Sequence, residues 1–159
     1  MKKVQEVRGG SIGRVLGVDT YSPVSYEPTH PNLFWYGIHS VEMLFTLMKT
    51  GCKRVKRQTT TQYYIVTGDW GDGRIGNYRG LKNKMQKYGG QVFGEEGVSY
   101  ENFYPLIDAI LHYLNTGEVP VQPDETIEIF AFMEAANEST TNNENWVLID
   151  DILTKAGYK

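Results

Sequence analysis

Apolar residues recur at spacings of three and four between positions 34 and 48. Ile38, Val41, Leu44, Phe45 and Met48 share one face, which predicts a packed helix ending at Gly51. A second stripe of the same period, Phe103, Leu106, Ile107, Ile110, Leu111 and Leu114, predicts a helix over 103–114 capped at Thr116-Gly117. Pro123, Asp124 and Glu125 suit the first turn of a third helix reaching about Ser139. Proline loses nothing there, and the two acids face the positive end of the helix dipole. Apolar residues wrap more than one side of that segment, so it is expected to be largely buried. Residues 2–8 read as the tail of a helix stopped by Gly9-Gly10.

Between the helices the period changes. Residues 12–21, 52–59, 62–70, 74–81, 90–94 and 146–149 predict strands. The segment 22–33 holds Pro23, Pro28 and Pro31 and reads as a loop, and 82–88 reads as a polar loop. Asp72-Gly73 is a two-residue hairpin signal, so 74–81 is the antiparallel partner of the strand before it. Strands gathered in the middle with helices before and after predict an α+β class: a mostly antiparallel, open-faced sheet with helices packed on one face. On the strand 62–70, Tyr64, Val66, Gly68 and Trp70 fall on one face, and Tyr63, Ile65, Thr67 and Asp69 on the other. One layer of helices covers one of them. The other is expected to pair with a second copy of the chain, giving a homo-oligomer, unless the loop 22–33 or residues 82–89 fold over it.

Composition narrows the partners. The 159 residues suit one domain with a real core. A net charge of −3 without a basic stripe argues against nucleic acid. Lys53, Arg54, Lys56 and Arg57 form a basic cluster best read as a solvated strand edge. The single cysteine, Cys52, has no disulfide partner within the chain. No apolar run is long enough to span a membrane, and the start is too polar for a signal peptide, so the cytoplasm is the expected compartment of the chain as given. Gly71 to Gly76 matches G-x-G-x-x-G, but the following residues alternate like a strand. A dinucleotide site needs a helix there, so the hairpin explains these glycines.

The chemistry gathers around His39. Trp35, His39 and Glu42 stand three or four positions apart, on a face other than the apolar stripe. Glu42 is placed to orient or charge the imidazole. Gly37 costs about 1 kcal/mol relative to alanine inside a helix, so something should need the close approach it permits. The proline-rich loop brings Tyr26, His30 and Trp35 near. Two alternatives stand beside a proton-transfer role for His39: a structural histidine bonded to Tyr36 or a loop carbonyl, and a metal ligand with Glu42. The second lacks a third ligand at usable spacing. His112 lies off its stripe and is expected to be exposed.

The run Trp35-Tyr36-Gly37-Ile38-His39-Ser40-Val41-Glu42 resembles the end of the motif G-G-x-x-x-D-x-G-x-H-x-x-D. That motif belongs to the C-terminal domain of the glucose–fructose oxidoreductase / inositol dehydrogenase (Gfo/Idh/MocA) family. Gly10-Ser11-Ile12-Gly13-Arg14-Val15 resembles the family's G-x-I-G-x-V segment. Residues 51–55 and 62–79 resemble its hairpin sheet. Residues 103–117, then Pro120, Glu125 and Ala135-Ala136-Asn137-Glu138-Ser139, resemble its closing helices. The resemblance runs in order along nearly the whole chain.

The resemblance implies a two-domain, NAD(P)-dependent oxidoreductase of sugars or polyols. Residues 1–9 are then the end of a linker helix from a missing N-terminal Rossmann domain, and 10–159 the C-terminal substrate and oligomerisation domain. NAD or NADP is expected in the full-length protein and no cofactor in this fragment, which should not catalyse hydride transfer alone. His39 matches the motif histidine, the proton-transfer group, and Gly37 the motif glycine. Glu42 replaces the last aspartate conservatively. Trp35 replaces the first aspartate, and an indole accepts no hydrogen bond in a carboxylate's place. Trp35, Tyr36, Glu42 and His30 are the expected substrate-binding residues, with Trp35 stacking on a sugar face. The alternative is a non-catalytic assembly or ligand-binding module that uses the open sheet face.

Overall fold

The computed structural model of the chain describes residues 11–24, 29, 33–82, 87–101, 115–119 and 121–158. Its elements are β1 (Val15–Pro23), α1 (Gly37–Met48), β2 (Arg54–Thr59), β3 (Tyr63–Asp69), β4 (Ile75–Leu81), β5 (Gly89–Gly94), β6 (Val98–Glu101), α2 (Pro123–Thr141), β7 (Val147–Leu148) and α3 (Ile149–Lys155). The strands form one seven-stranded sheet in the order β6-β5-β1-β4-β3-β2-β7. The β1–β4 junction is parallel, and the others are antiparallel. The α+β class and the mostly antiparallel sheet are therefore as the sequence predicts.

The β3–β4 hairpin forms around Asp72-Gly73, with β4 in the middle of the sheet, but its loop is three residues, 71–73, and not two, because the Trp70 N–H bonds the Arg74 carbonyl and Asp69 pairs with Ile75. The turn is made by local groups. Asp69 Oδ1 accepts the Gly71 N–H at 2.8 Å, and Asp72 Oδ1 accepts the Arg74 N–H at 3.1 Å. Gly71 and Gly73 adopt φ of 74° and 91°, which other residues rarely adopt. β4 begins at Ile75, so a strand and no helix follows the G-x-G-x-x-G match.

Alternation on the central strands sorts their residues by face. Val18, Thr20, Ser22, Tyr64, Val66, Gly68, Gly76 and Tyr78 are buried under the helices. α1 packs over β1 and β4, α2 over β2 and α1, and α3 against α2. The core joins Val41, Leu44, Phe45 and Met48 of α1 to Phe132, Met133 and Ala136 of α2 and to Val66 and Trp70 below. Gly68 is needed for this packing. A Cβ there would lie 2.7 Å from the Phe132 ring and 2.9 Å from the Trp70 ring. Glu128 fastens α2 to the chain after α1, its carboxylate accepting the N–H groups of Gly51 and Cys52 at 2.7 Å each. Burial pushes the Cys52 thiol up to about 12, with the Glu128 charge adding to it, so Cys52 is an inert core residue.

Several sequence expectations change. α1 begins at Gly37 and not at 34, because residues 33–36 form turns. The first strand runs 15–23 and not 12–21, after a turn in which Gly13 adopts φ 72°. α2 buries one broad face, Ile129, Ala131, Phe132, Met133, Ala135, Ala136 and Ser139, while Phe130 on the other side is exposed, so it is less extensively buried than its sequence predicts. Residues 146–149 yield a two-residue strand, after which Ile149 opens α3. The short strand β6 and the helix α3 were not anticipated. The expected helices over 2–8 and 103–114 lie outside the described residues, as do most of the loop 22–33 and His112. Asn115 and Thr116 are helical.

Candidate functional site

α1 carries the site because its apolar stripe fixes its rotation. Val41, Leu44, Phe45 and Met48 turn into the core, which leaves His39 and Glu42 on the partly solvated side. His39 Nδ1 lies 3.6 Å from Glu42 Oε2, and the two side chains are 44% and 52% exposed. The carboxylate is one turn on and faces the imidazole, as the i, i+3 spacing requires. Trp35 stands in the turn before α1, exposed, with its indole edge-on to Tyr36 at a ring separation of 6.0 Å. Trp35 and Tyr36 therefore sit in the turn that leads into α1, and His39 and Glu42 in its first two turns. His30 lies outside the described residues.

The close approach at Gly37 has an occupant, and it comes from the protein itself. A Cβ at Gly37 would stand 3.0 Å from Leu33 Cδ2 and 3.2 Å from the Tyr78 hydroxyl. Tyr78 belongs to a polar row that crosses the helix-covered face of the sheet. Its hydroxyl is 3.0 Å from Ser22 Oγ and 3.4 Å from the Tyr64 hydroxyl, and the Arg57 guanidinium lies 3.9 Å from the Tyr64 ring centroid. Arg57 is 3% exposed and donates to Asn137 Oδ1 at 3.4 Å. Burial raises the Tyr64 and Tyr78 phenols, so both stay protonated and serve as hydrogen-bonding hydroxyls. The basic cluster thus splits: Arg57 goes inward, while Arg54 and Lys56 lie outside over the Trp146 ring at 4.6 and 5.0 Å.

Tyr88 lies beside the candidate site and was not expected there from the sequence. Its ring meets the His39 imidazole edge-on at 6.3 Å. Partial burial raises its phenol, with Tyr36 and Tyr78 adding to the effect. It comes from a segment read as a polar loop, and no local pattern marks it. Among the described residues no group of three or more His, Cys, Asp or Glu side chains is arranged to hold a metal. No helix among them is long and apolar enough to cross a membrane.

No family model and no curated protein sequence matches the chain. Solved structures do. A scyllo-inositol dehydrogenase from Lactobacillus casei, with NAD(H) and scyllo-inositol bound, superposes with a TM-score of 0.72 at 14% identity, over 92% of this chain and 60% of that one. The fold is that of the C-terminal domain of Gfo/Idh/MocA-type dehydrogenases. A myo-inositol dehydrogenase from the same organism, in complex with NAD(H) and myo-inositol, gives 0.71 at 15% identity, over 92% of this chain and 57% of that one. An oxidoreductase from Agrobacterium radiobacter, in complex with NAD+, L-tartaric acid and magnesium, gives 0.64 at 15% identity, over 95% and 63%. This chain therefore shares its fold with one part of these proteins and spans about three fifths of their length.

Proposed function

We propose that the chain is the substrate-binding and self-associating part of an NAD(P)-dependent oxidoreductase acting on a sugar or polyol, with the nucleotide carried by a Rossmann domain outside this sequence. The observation that supports it is the His39–Glu42 pair, half-exposed on α1 beside aromatic rings, in a fold shared with inositol dehydrogenases. Oxidising a carbinol releases a proton as the hydride departs. An accessible imidazole with a carboxylate beside it suits that transfer. Glu42 orients the imidazole, and Trp35, Tyr36 and Tyr88 offer ring faces to the C–H side of a sugar. The deciding experiment is to read the gene on the 5′ side of this sequence and assay the whole product. A Rossmann sequence with a lysine-bearing E-K-P segment, and NAD(P)-dependent oxidation of a polyol, is the expected result. A natural start at Met1 with no activity overturns it.

The second reading is a non-catalytic ligand-binding or assembly module. It draws on Trp35, which stands where the resembling motif has a carboxylate. It predicts that the whole product binds a sugar without oxidising it.

Two outcomes follow for this chain alone. Calorimetry is expected to find no binding of NAD or NADP, because the G-x-G-x-x-G match is a hairpin turn with a strand after it. Micromolar affinity at that turn is the opposing result. Self-association through the helix-free face is also expected. That face exposes Tyr21, Ile75, Val98, Tyr100 and Leu148, and a stable interface takes about 1,200–2,000 Å² in total. Sedimentation velocity should show a dimer or larger that dissociates when Val98 and Tyr100 become lysine. A monomer at high concentration argues against the assembly role.

A further inference from the structure

α1 meets the sheet in two different ways. Its later turns rest on apolar contacts, with Leu44, Phe45 and Met48 packed in the core with Val66, Trp70 and Phe132. Its first turn rests on hydroxyls. Gly37 and Ser40 stand three positions apart and are both buried, so they share the face turned to the sheet. Beneath them Thr20 of β1 and Tyr78 of β4 are cross-strand partners, 2% and 0% exposed. Thr20 Oγ1 donates to the Ser40 carbonyl at 3.1 Å, with the Asn77 carbonyl as a farther acceptor at 3.3 Å. The Tyr78 hydroxyl stands 3.2 Å from where a Gly37 Cβ would be, and Ser22 Oγ holds it at 3.0 Å. His39 lies between Gly37 and Ser40 in the chain, on the opposite, partly solvated side of the same turn. The usual local devices that hold a helix start are missing here. Tyr36, at the N-cap, makes no capping bond through its side chain, and no acidic residue stands in the first turn.

We propose that Thr20 and Tyr78 are positioning residues that set the place of the His39 imidazole by seating the first turn of α1. This rests on the proton-transfer reading of His39. Apolar contact is non-directional, so a helix held by it alone can slide or turn a little at small cost. A hydrogen bond to one carbonyl is directional, and a hydroxyl that fills the gap at one glycine admits one height of the helix above the sheet. Proton transfer needs that definition. A catalytic group has to stand within about 0.5 Å of its productive place, and a misplacement of about 1 Å can cost roughly 100-fold in rate. Both residues are buried, so they act through the helix backbone and touch no substrate.

The test uses three variants. Thr20→Val keeps the side chain's shape and removes the donor. Thr20→Ser keeps the donor and removes the methyl. Tyr78→Phe keeps the ring and removes the hydroxyl set against Gly37, and Gly37→Ala, which presses a methyl on that hydroxyl, replaces it should it fail to fold. In the full-length protein, Thr20→Val and Tyr78→Phe should lower kcat by about 10-fold with KM changed by less than about two-fold, and Thr20→Ser should keep its kcat. Thermal unfolding should not follow that order, because Thr20→Ser loses a buried methyl and is destabilised as well. In ¹H–¹³C NMR spectra of this chain, the His39 imidazole resonances should move in Thr20→Val and Tyr78→Phe and hold in Thr20→Ser. These spectra need no substrate. An inactive full-length protein therefore defeats the oxidoreductase reading, while the resonances still decide whether the seat places His39. The proposal is overturned if they hold in Thr20→Val or in the Tyr78 or Gly37 variant. It is also overturned if Thr20→Ser loses as much kcat as Thr20→Val, since the role of Thr20 is then packing alone.

Discussion

Replacing His39 with alanine in the full-length protein is expected to slow the chemical step by roughly 100- to 10,000-fold, the range general acid–base catalysis supplies. The loss should appear in kcat and in kcat/KM alike, because a proton-transfer group acts in the transition state and contributes little to ground-state binding. Glu42→Gln should cost less, since the imidazole keeps its place on α1 and loses one neighbouring charge at 3.6 Å. The fold is expected to survive. The His39 side chain is 44% exposed, and the core stripe of α1 turns the other way. Substitution at such a position usually changes stability by no more than about 0.5 kcal/mol. Steady-state kinetics of the full-length protein and thermal unfolding of this chain read the two halves of the expectation. If His39→Ala unfolds the domain, the histidine is structural and its catalytic role fails. Full retention of kcat defeats it equally.

The largest expected effect on stability belongs to Phe132→Ala, at about 3–5 kcal/mol. Phe132 is fully buried on α2, and its ring meets Phe45 of α1 edge-on at 5.5 Å. Phe45 in turn packs on Trp70 at 5.7 Å, and Trp70 Nε1 donates to the Lys49 carbonyl at 2.9 Å where α1 ends. The Phe132 ring also occupies the space that Gly68 leaves open on β3. One side chain therefore joins both helices to the sheet, and its removal leaves a cavity bounded by rings and strand backbone that collapse poorly. Domains of this kind are stable by about 5–15 kcal/mol, so the loss is a large share of the total. Urea unfolding followed by circular dichroism should show a lowered midpoint with an unchanged slope. A shift worth less than about 1 kcal/mol means that the core repacks around the gap and that this joint is not central.

What could be read from the sequence is what local groups decide. The β3–β4 turn is legible because Asp69, Asp72, Gly71 and Gly73 make it among themselves. The rotation of α1 is legible because Val41, Leu44, Phe45 and Met48 repeat with the helix period, and that rotation alone puts His39 beside Glu42 on the solvated side. Alternation likewise sorted Tyr64 and Val66 from Tyr63 and Ile65. The need for space at Gly37 could be inferred, but not that Tyr78 fills it.

The tertiary structure alone decided the pairings between distant segments. Nothing in residues 15–23 states that they lie parallel to β4 and antiparallel to β5, because edge hydrogen bonds are the same for any partner and loop closure selects among them. The same applies to Tyr88, which reaches His39 only after β1 and β5 have paired, and to Arg57, whose burial depends on α2 folding over β2. The polar centre of the open face is of this kind as well. Asp19, Asn77 and Thr67 are ordinary surface residues in sequence. They become one hydrogen-bonded array because three strands far apart in the chain are neighbours in the sheet.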